Sequence, residues 1–239
     1  MDRREVLGLY LVIVIVSGCS CSEKVRVSLY YEALCPYCED FIVNRLVNLF
    51  YDKQLLSILN FTFIPWGNAF IQSDGTFLCQ HGANECILNA IEACAITIYP
   101  DVEKHFRFIQ CVESKWFEKR EEEWVNCFEI SGIGRQPIID CYTTGYGNTQ
   151  LEHQFAAQTA QLNPSHRFVP WIVVNNHPLQ EDFENFVSYI CKAYKGSQVP
   201  DACKSVPQEN SQLWKQNPAA VCSPNFTSSA PALHSHNIH

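Results

Sequence analysis

The stretch Val25-Arg26-Val27-Ser28-Leu29-Tyr30-Tyr31-Glu32-Ala33-Leu34-Cys35-Pro36-Tyr37-Cys38 decides the fold. Its first half is rich in β-branched and aromatic residues with partial alternation, which predicts a strand, and the strand runs into a Cys-x-x-Cys. Beyond the motif Phe41, Ile42, Leu46, Leu49 and Phe50 recur at helical spacing. Pro36 sits where a first-turn proline is tolerated, because the N–H it lacks would be unpaired there anyway. The motif therefore opens a helix. Leu59 to Trp66 reads as a second strand and closes a βαβ unit, whose connection is expected to be right-handed.

Outward from this unit the character changes. From Asn68 to about Ser165 the pattern is helical: Ile87, Leu88, Ile91, Ala95 and Ile98 share one face, and Val102, Phe106, Ile109, Val112 and Trp116 another. The run Glu121-Glu122-Glu123 reads as a solvated helix face. A Gly- and Thr-rich connector around Thr143 to Thr149 precedes one more polar helix. Sheet character returns at Trp171 to Val174, followed by Asn175-Asn176, which tolerate positive φ and suit a tight hairpin, and by a helix from about Glu181 to Tyr194. The fold class is α/β, with one domain over residues 25–203 carrying a helical insertion over about 68–165. Residues 204–239 are rich in Gln, Asn, Ser, Pro and His and read as a disordered or removable tail.

Composition bounds the function. At 239 residues a single elaborated domain is the default. A net charge of −8 offers no basic stripe for a phosphate backbone, so no nucleic-acid partner is expected. Arg3 and Arg4, the apolar run Val6 to Val16 and small residues at Ser17, Gly18 and Ser20 read as a signal peptide over residues 1–21. That run is roughly half the ~20 apolar residues a membrane span needs, so no stable membrane insertion is expected. Val16-Ser17-Gly18-Cys19 also resembles a bacterial lipoprotein processing site. Against that stand two sequons, at Asn60 and Asn225, which matter only in a glycosylating secretory pathway. Thirteen cysteines agree with an oxidising, exported environment.

A Cys-x-x-Cys at a helix N-terminus places its first sulfur beside unpaired N–H groups and the positive end of the helix dipole, both of which favour thiolate. Cys35 is then the expected nucleophile, and Cys38, one turn on, the expected resolving thiol. Two other uses of the motif are a structural disulfide or half of a zinc site. A zinc site would want a second close pair, and Cys79 with His81 lacks the usual spacing, so no metal and no organic cofactor is expected. Val169-Pro170, directly before the strand at Trp171, is the second element of such a site, since a cis proline there would set the backbone that pairs with an extended substrate.

With these residues in hand the chain resembles the gamma-interferon-inducible lysosomal thiol reductase family, from about Val25 to Cys203. Cys79-Gln80-His81-Gly82, Glu85-Cys86, Asn89 and Cys94 reproduce the family signature C-Q-H-G-x2-E-C-x2-N-x4-C at every fixed position. Tyr30 to Cys35, Pro65-Trp66-Gly67-Asn68-Ala69, Val169-Pro170-Trp171 and Pro200-Asp201-Ala202-Cys203 resemble the family's surroundings too. The resemblance implies a thioredoxin-like fold with a disulfide-stapled helical insertion. It also implies reduction of protein disulfides at acidic pH, fed by a small-thiol or dithiol reductant, in a lysosome- or vacuole-like lumen or after secretion. The dipeptide Pro36-Tyr37 is nearer to glutaredoxins than to the small residues of animal members, which leaves the redox potential open. Gln80 and His81 read either as catalytic polar groups or, preferably, as part of a staple holding the insertion against the site.

Nine cysteines remain once Cys19, Cys21, Cys35 and Cys38 are set aside. Cys79, Cys86, Cys94, Cys111, Cys127, Cys141, Cys191 and Cys203 are expected to form four structural disulfides, leaving Cys222 free, intermolecular or removed with the tail. Cys86 and Cys94 on one helix would lie about 12 Å apart, beyond the roughly 7 Å a disulfide spans. Cys191 with Cys203 is the preferred pair. Two rivals stay open, an oxidase or isomerase of the same fold and a redox-inert binding module.

Overall fold

Alternation in Val25–Tyr31 becomes the central strand β1 in the computed structural model, which describes residues 24–205 and 221–224. Val25, Val27, Leu29 and Tyr31 are buried while Arg26 points out. The chain then enters α1 (Pro36–Asp40), passes through a π-helical stretch over Phe41–Leu46 and continues as α2 (Val47–Tyr51). A short α3 (Lys53–Ser57) is capped by Asp52, whose carboxylate accepts the N–H groups of Gln54 and Leu55. The strand β2 (Leu59–Pro65) returns parallel to β1, from Val25 opposite Leu59 to Tyr31 opposite Pro65.

The insertion follows. A two-stranded ribbon, β3 (Phe70–Ile71) with β4 (Phe77–Leu78), leads to α4 (Ala83–Ile98) and α5 (Val102–Phe117). Then come α6 (Cys127–Ser131), α7 (Arg135–Thr143) and α8 (Glu152–Ala160). The Glu121 run, expected as a solvated helix face, is a 3-10 helix over Glu121–Asn126 with no buried residue, and Arg120 pairs with Glu123. The connector after Thr143 is also more ordered than a loop: Tyr146–Leu151 is π-helical and leads directly into α8. Cys94 explains that close approach, since a methyl group on Gly147 would stand 2.2 Å from its sulfur.

The sheet is completed by β5 (Trp171–Val174), antiparallel to β1, and β6 (His177–Pro178), giving the order β2-β1-β5-β6. Asn175 and Asn176 take φ of 46° and 65° at the hairpin, as short polar side chains allow. The closing helices are α9 (Phe186–Ala193) and α10 (Asp201–Lys204). One core lies between the sheet, the helix after the Cys-x-x-Cys and α9, around Leu29, Phe41, Ile42, Leu46, Trp171 and Ile190. A second fills the insertion around Trp66, Leu88, Ile91, Phe108 and Ile138.

Four disulfides fasten this frame: Cys79–Cys86 ties the α4 entry loop to α4, Cys94–Cys141 ties α4 to α7, Cys111–Cys127 ties α5 to α6, and Cys191–Cys203 ties α9 to α10. Asn60 lies exposed on β2, whereas Asn225 and the apolar N-terminal run fall outside the described residues. Among the described residues no helix is long and apolar enough to cross a membrane.

Candidate active site

The turn after β1 sets the geometry. Leu34 takes φ of 65° and swings the chain so that Cys35 becomes the cap of α1, its carbonyl accepting the Glu39 N–H at 3.0 Å. Asn89 of α4 steadies this turn by accepting the Ala33 N–H at 2.9 Å. Cys35 and Cys38 are both fully buried.

Their partners correct the sequence reading. Cys35 is bonded to Cys222, and Cys38 is the free cysteine among the described residues. Cys222 was expected to be free, intermolecular or removed; instead residues 221–224 of the expected tail lie against the site. The reason is backbone pairing. The Val169 N–H donates to the Cys222 carbonyl at 2.9 Å, and the Cys222 N–H donates back to the Val169 carbonyl at 2.8 Å. The Val169-Pro170 peptide is cis. A strand carrying a cysteine thus lies antiparallel to Val169, with its sulfur joined to Cys35.

Side chains from the insertion hold the same strand. Asn68 donates through Nδ2 to the Cys222 carbonyl at 3.1 Å and to Gln80 Oε1 at 2.8 Å, and Gln80 Nε2 donates to the Ser223 carbonyl at 2.5 Å. These contacts reach only backbone atoms of the strand, so they are indifferent to its side chains. Gln80 and His81 therefore stand at the sulfur centre as well as beside the Cys79–Cys86 staple.

Glu32 went unnoticed in the sequence. Its carboxylate is buried, accepts the Asn68 N–H at 2.6 Å, and lies 3.3 Å from His81 Nε2. Space for it comes from Gly67, at φ of 55°, where a methyl group would stand 2.3 Å from Glu32 Oε2. His81 Nε2 is also 3.7 Å from Cys222 Sγ, and the His81 N–H donates to Glu85 at 2.5 Å. The signal that could have found Glu32 and Asn68 is their position, three residues before the first cysteine and three after Pro65 in segments that carry the resemblance. His105 has an ordinary role, its Nδ1 lying 2.8 Å from the Tyr99 carbonyl.

Electrostatics here are dominated by burial. Desolvation pushes the Cys38 thiol well above its ordinary value and the negative charge of Glu32 adds to it, while a backbone hydrogen bond from Glu32 partly offsets both. Desolvation also raises Glu39 from 4.5 to about 7. Behind β1, Tyr31 donates its hydroxyl to Glu92 at 2.6 Å; burial raises Glu92, and burial with the charge of Glu92 raises Glu113, so this pair retains a proton far above the usual carboxylate range. One ligand atom each from Glu32, Cys35, His81 and Cys222 lies within 4.8 Å of the others. With the two sulfurs joined they offer no thiolate to a metal, and the set is arranged for sulfur chemistry.

Comparison with known proteins places this geometry in a class. Solved structures that superpose on the chain include DsbA of Chlamydia trachomatis (TM-score 0.51, 14% identity, 70% of this chain and 85% of that one). Another is the reduced form of the disulfide bond oxidoreductase DsbG of Mycobacterium tuberculosis (TM-score 0.51, 17% identity, 76% and 84%). The fold is thioredoxin-like, an α/β frame with helices inserted between its strands. The model of the family described as gamma interferon inducible lysosomal thiol reductase matches residues 26–131. The gamma-interferon-responsive lysosomal thiol protein of Arabidopsis thaliana is 40% identical over 188 residues, 77% of each chain. The gamma-interferon-inducible lysosomal thiol reductase of Mus musculus is 37% identical over 190 residues, 77% of this chain and 74% of its own. The chain belongs to the gamma-interferon-inducible lysosomal thiol reductase family and is an oxidoreductase acting on sulfur groups.

Proposed function

We propose that the protein reduces disulfides of unfolding proteins in an acidic lumen, with Cys35 as nucleophile and Cys38 as resolving thiol. Cys35 attacks one sulfur of a substrate disulfide, forming a mixed disulfide and expelling the other sulfur as a thiolate that takes up a proton. Cys38 then attacks Cys35 Sγ, releases the second substrate thiol and leaves a Cys35–Cys38 disulfide. A small thiol or dithiol returns that bond to two thiols.

The observation that carries this reading is the strand 221–224. An extended cysteine-bearing segment joined to Cys35 and paired through both backbone groups of Val169 is what a substrate intermediate of such a reaction would be, with Val169-Pro170 as its docking edge. The acidic setting is supported by carboxyl groups buried in their neutral form, Glu39 and the Glu92–Glu113 pair among them. It is supported too by the lysosomal names of the relatives. Asn60 is the glycan site this route of export would use.

The test is dithiol-supported reduction of a denatured disulfide protein at pH 4.5 and pH 7, with Cys35→Ser and Cys38→Ser beside the wild type. Activity at pH 4.5 that vanishes in Cys35→Ser, with a trapped mixed disulfide in Cys38→Ser, supports the reading. Activity confined to neutral pH would indicate an exchange enzyme of another compartment, and activity that survives in Cys35→Ser would overturn the assignment of the nucleophile.

A further inference from the structure

Resolution of the mixed disulfide poses a proton problem that the two cysteines do not solve. Cys38 must lose a proton to attack, yet burial and the charge of Glu32 hold that proton on its sulfur. The sulfur leaving Cys35 departs as a thiolate into a buried site, where an uncompensated charge is costly. One group has to give up a proton while its neighbour needs one.

Resting on the reading above, we propose that Glu32 and His81 form a proton relay from the resolving thiol to the departing substrate thiol, which makes His81 a catalytic general acid. Cys222 marks where the leaving sulfur sits, because it occupies the substrate side of the bond to Cys35. His81 Nε2 stands 3.7 Å from that sulfur and 3.3 Å from Glu32 Oε1, so one nitrogen faces both donor and acceptor. A Glu32 carboxylate oxygen lies within 4.8 Å of Cys35 Sγ, the atom that Cys38 attacks, and the Cys38 thiol is hydrogen-bonded by the Glu32 backbone and feels the Glu32 charge.

The step balances. Cys38 gives its proton to the Glu32 carboxylate and its sulfur forms a bond to Cys35 Sγ, while the bond from Cys35 to the substrate sulfur breaks. The substrate sulfur takes the proton on His81 Nε2, and His81 is re-protonated from Glu32. Two electrons pass from the enzyme cysteines to the substrate, and no net proton is consumed.

The surroundings are those of a held relay. Asn68 fixes Glu32 through its N–H, Gly67 leaves room for the carboxylate, and Glu85 of α4 anchors the His81 backbone. The other titratable groups facing the pair are Cys38 on α1, Glu85, and His166, which also feels the charge of Glu32. His81 retains partial exposure, 25% of its side chain, so it can exchange protons with solvent between turnovers.

The experiment uses the full-length chain, wild type, His81→Gln and Glu32→Gln, under excess dithiol. Two substrates are compared: an alkyl disulfide of a peptide, whose leaving thiolate needs a proton, and an aromatic nitrobenzoate disulfide, whose leaving thiolate is stable without one. His81→Gln is expected to lower kcat on the alkyl disulfide by about 100-fold, the lower range for loss of a general acid. On the aromatic disulfide it should stay within about threefold of the wild type, since little general-acid assistance is needed there. A Cys35 mixed disulfide with Cys38 still free should accumulate, detected by mass spectrometry after acid quench. Glu32→Gln, which removes the acceptor of the Cys38 proton as well as the donor to His81, should slow both disulfides and flatten the pH profile. Equal losses on both disulfides in His81→Gln would mean a structural role, and no loss on either would remove His81 from the chemistry; both overturn the proposal. A wild type whose activity does not depend on Cys35 would instead overturn the underlying function.

Discussion

Replacing Glu39 by Gln should stabilise the protein at neutral pH and leave it nearly unchanged in acid. Glu39 is 6% exposed and has no cationic partner among the described residues, and burial raises its carboxyl from 4.5 to about 7. A carboxyl raised on folding supports the fold fully below its unfolded value, and that support is lost as pH rises toward the folded value. Two and a half pH units at about 1.36 kcal/mol each make roughly 3 kcal/mol, of which about 2 kcal/mol is lost between pH 5 and pH 7. The Glu92–Glu113 pair loses stability in the same direction, so the wild type should weaken more steeply than Glu39 alone requires. Urea unfolding without reductant, followed by tryptophan fluorescence at pH 5 and pH 7, measures the difference. Glu39→Gln should cut the pH-dependent loss by about 2 kcal/mol, with equal stability to the wild type near pH 4. A variant whose stability falls between pH 5 and pH 7 as steeply as the wild type would refute the reasoning.

Three further outcomes are expected. Cys222→Ser should free Cys35 from the tail, so that an initial lag in turnover by the oxidised full-length protein disappears; an unchanged lag would mean the tail bond does not obstruct the site. Gly67→Ala should cost at least about 2 kcal/mol in thermal unfolding, because the added methyl meets Glu32 Oε2 at 2.3 Å on backbone at φ of 55°. A melt within a degree of the wild type would show that Glu32 is not held as described. Removing Cys191–Cys203 with paired serines should cost about 3 kcal/mol, from the entropy of closing a loop with a sequence separation of 12. Denaturant midpoints test this, and an unchanged midpoint would mean that α9 and α10 hold together without the bond.

Much of the frame was legible because its signals are local. The alternation in β1, the proline after Cys35 and the apolar spacing from Phe41 to Phe50 are each sufficient to place strand, motif and helix. The helix type of the Glu121 run and the order within the Thr143 connector were not legible for the opposite reason. Whether a polar run becomes an α-helix or a 3-10 turn depends on what it packs against, here the Cys111–Cys127 and Cys94–Cys141 bridges. The same limit explains Glu32, Asn68 and Gln80. A polar residue in a loop announces nothing until the fold brings residues 36, 49 and 154 positions apart into hydrogen-bonding reach. Cys222 was read by composition alone, and composition carries no information about a pairing 187 residues away.

Seen as synthetic chemistry, Cys222 is a protecting group. It caps Cys35, the nucleophile of the proposed reaction, and it leaves the nearby Cys38 thiol intact but quiet, because a buried thiol held well above its ordinary pKa is almost wholly protonated in acid. On the function proposed above, the chain is carried through an oxidising compartment with Cys35 masked by its own residues, and an external thiol that attacks the Cys35–Cys222 bond performs the deprotection. Fifteen residues, 206–220, join the described domain to the capping strand, so the group that leaves remains tethered and can return when the reductant runs out.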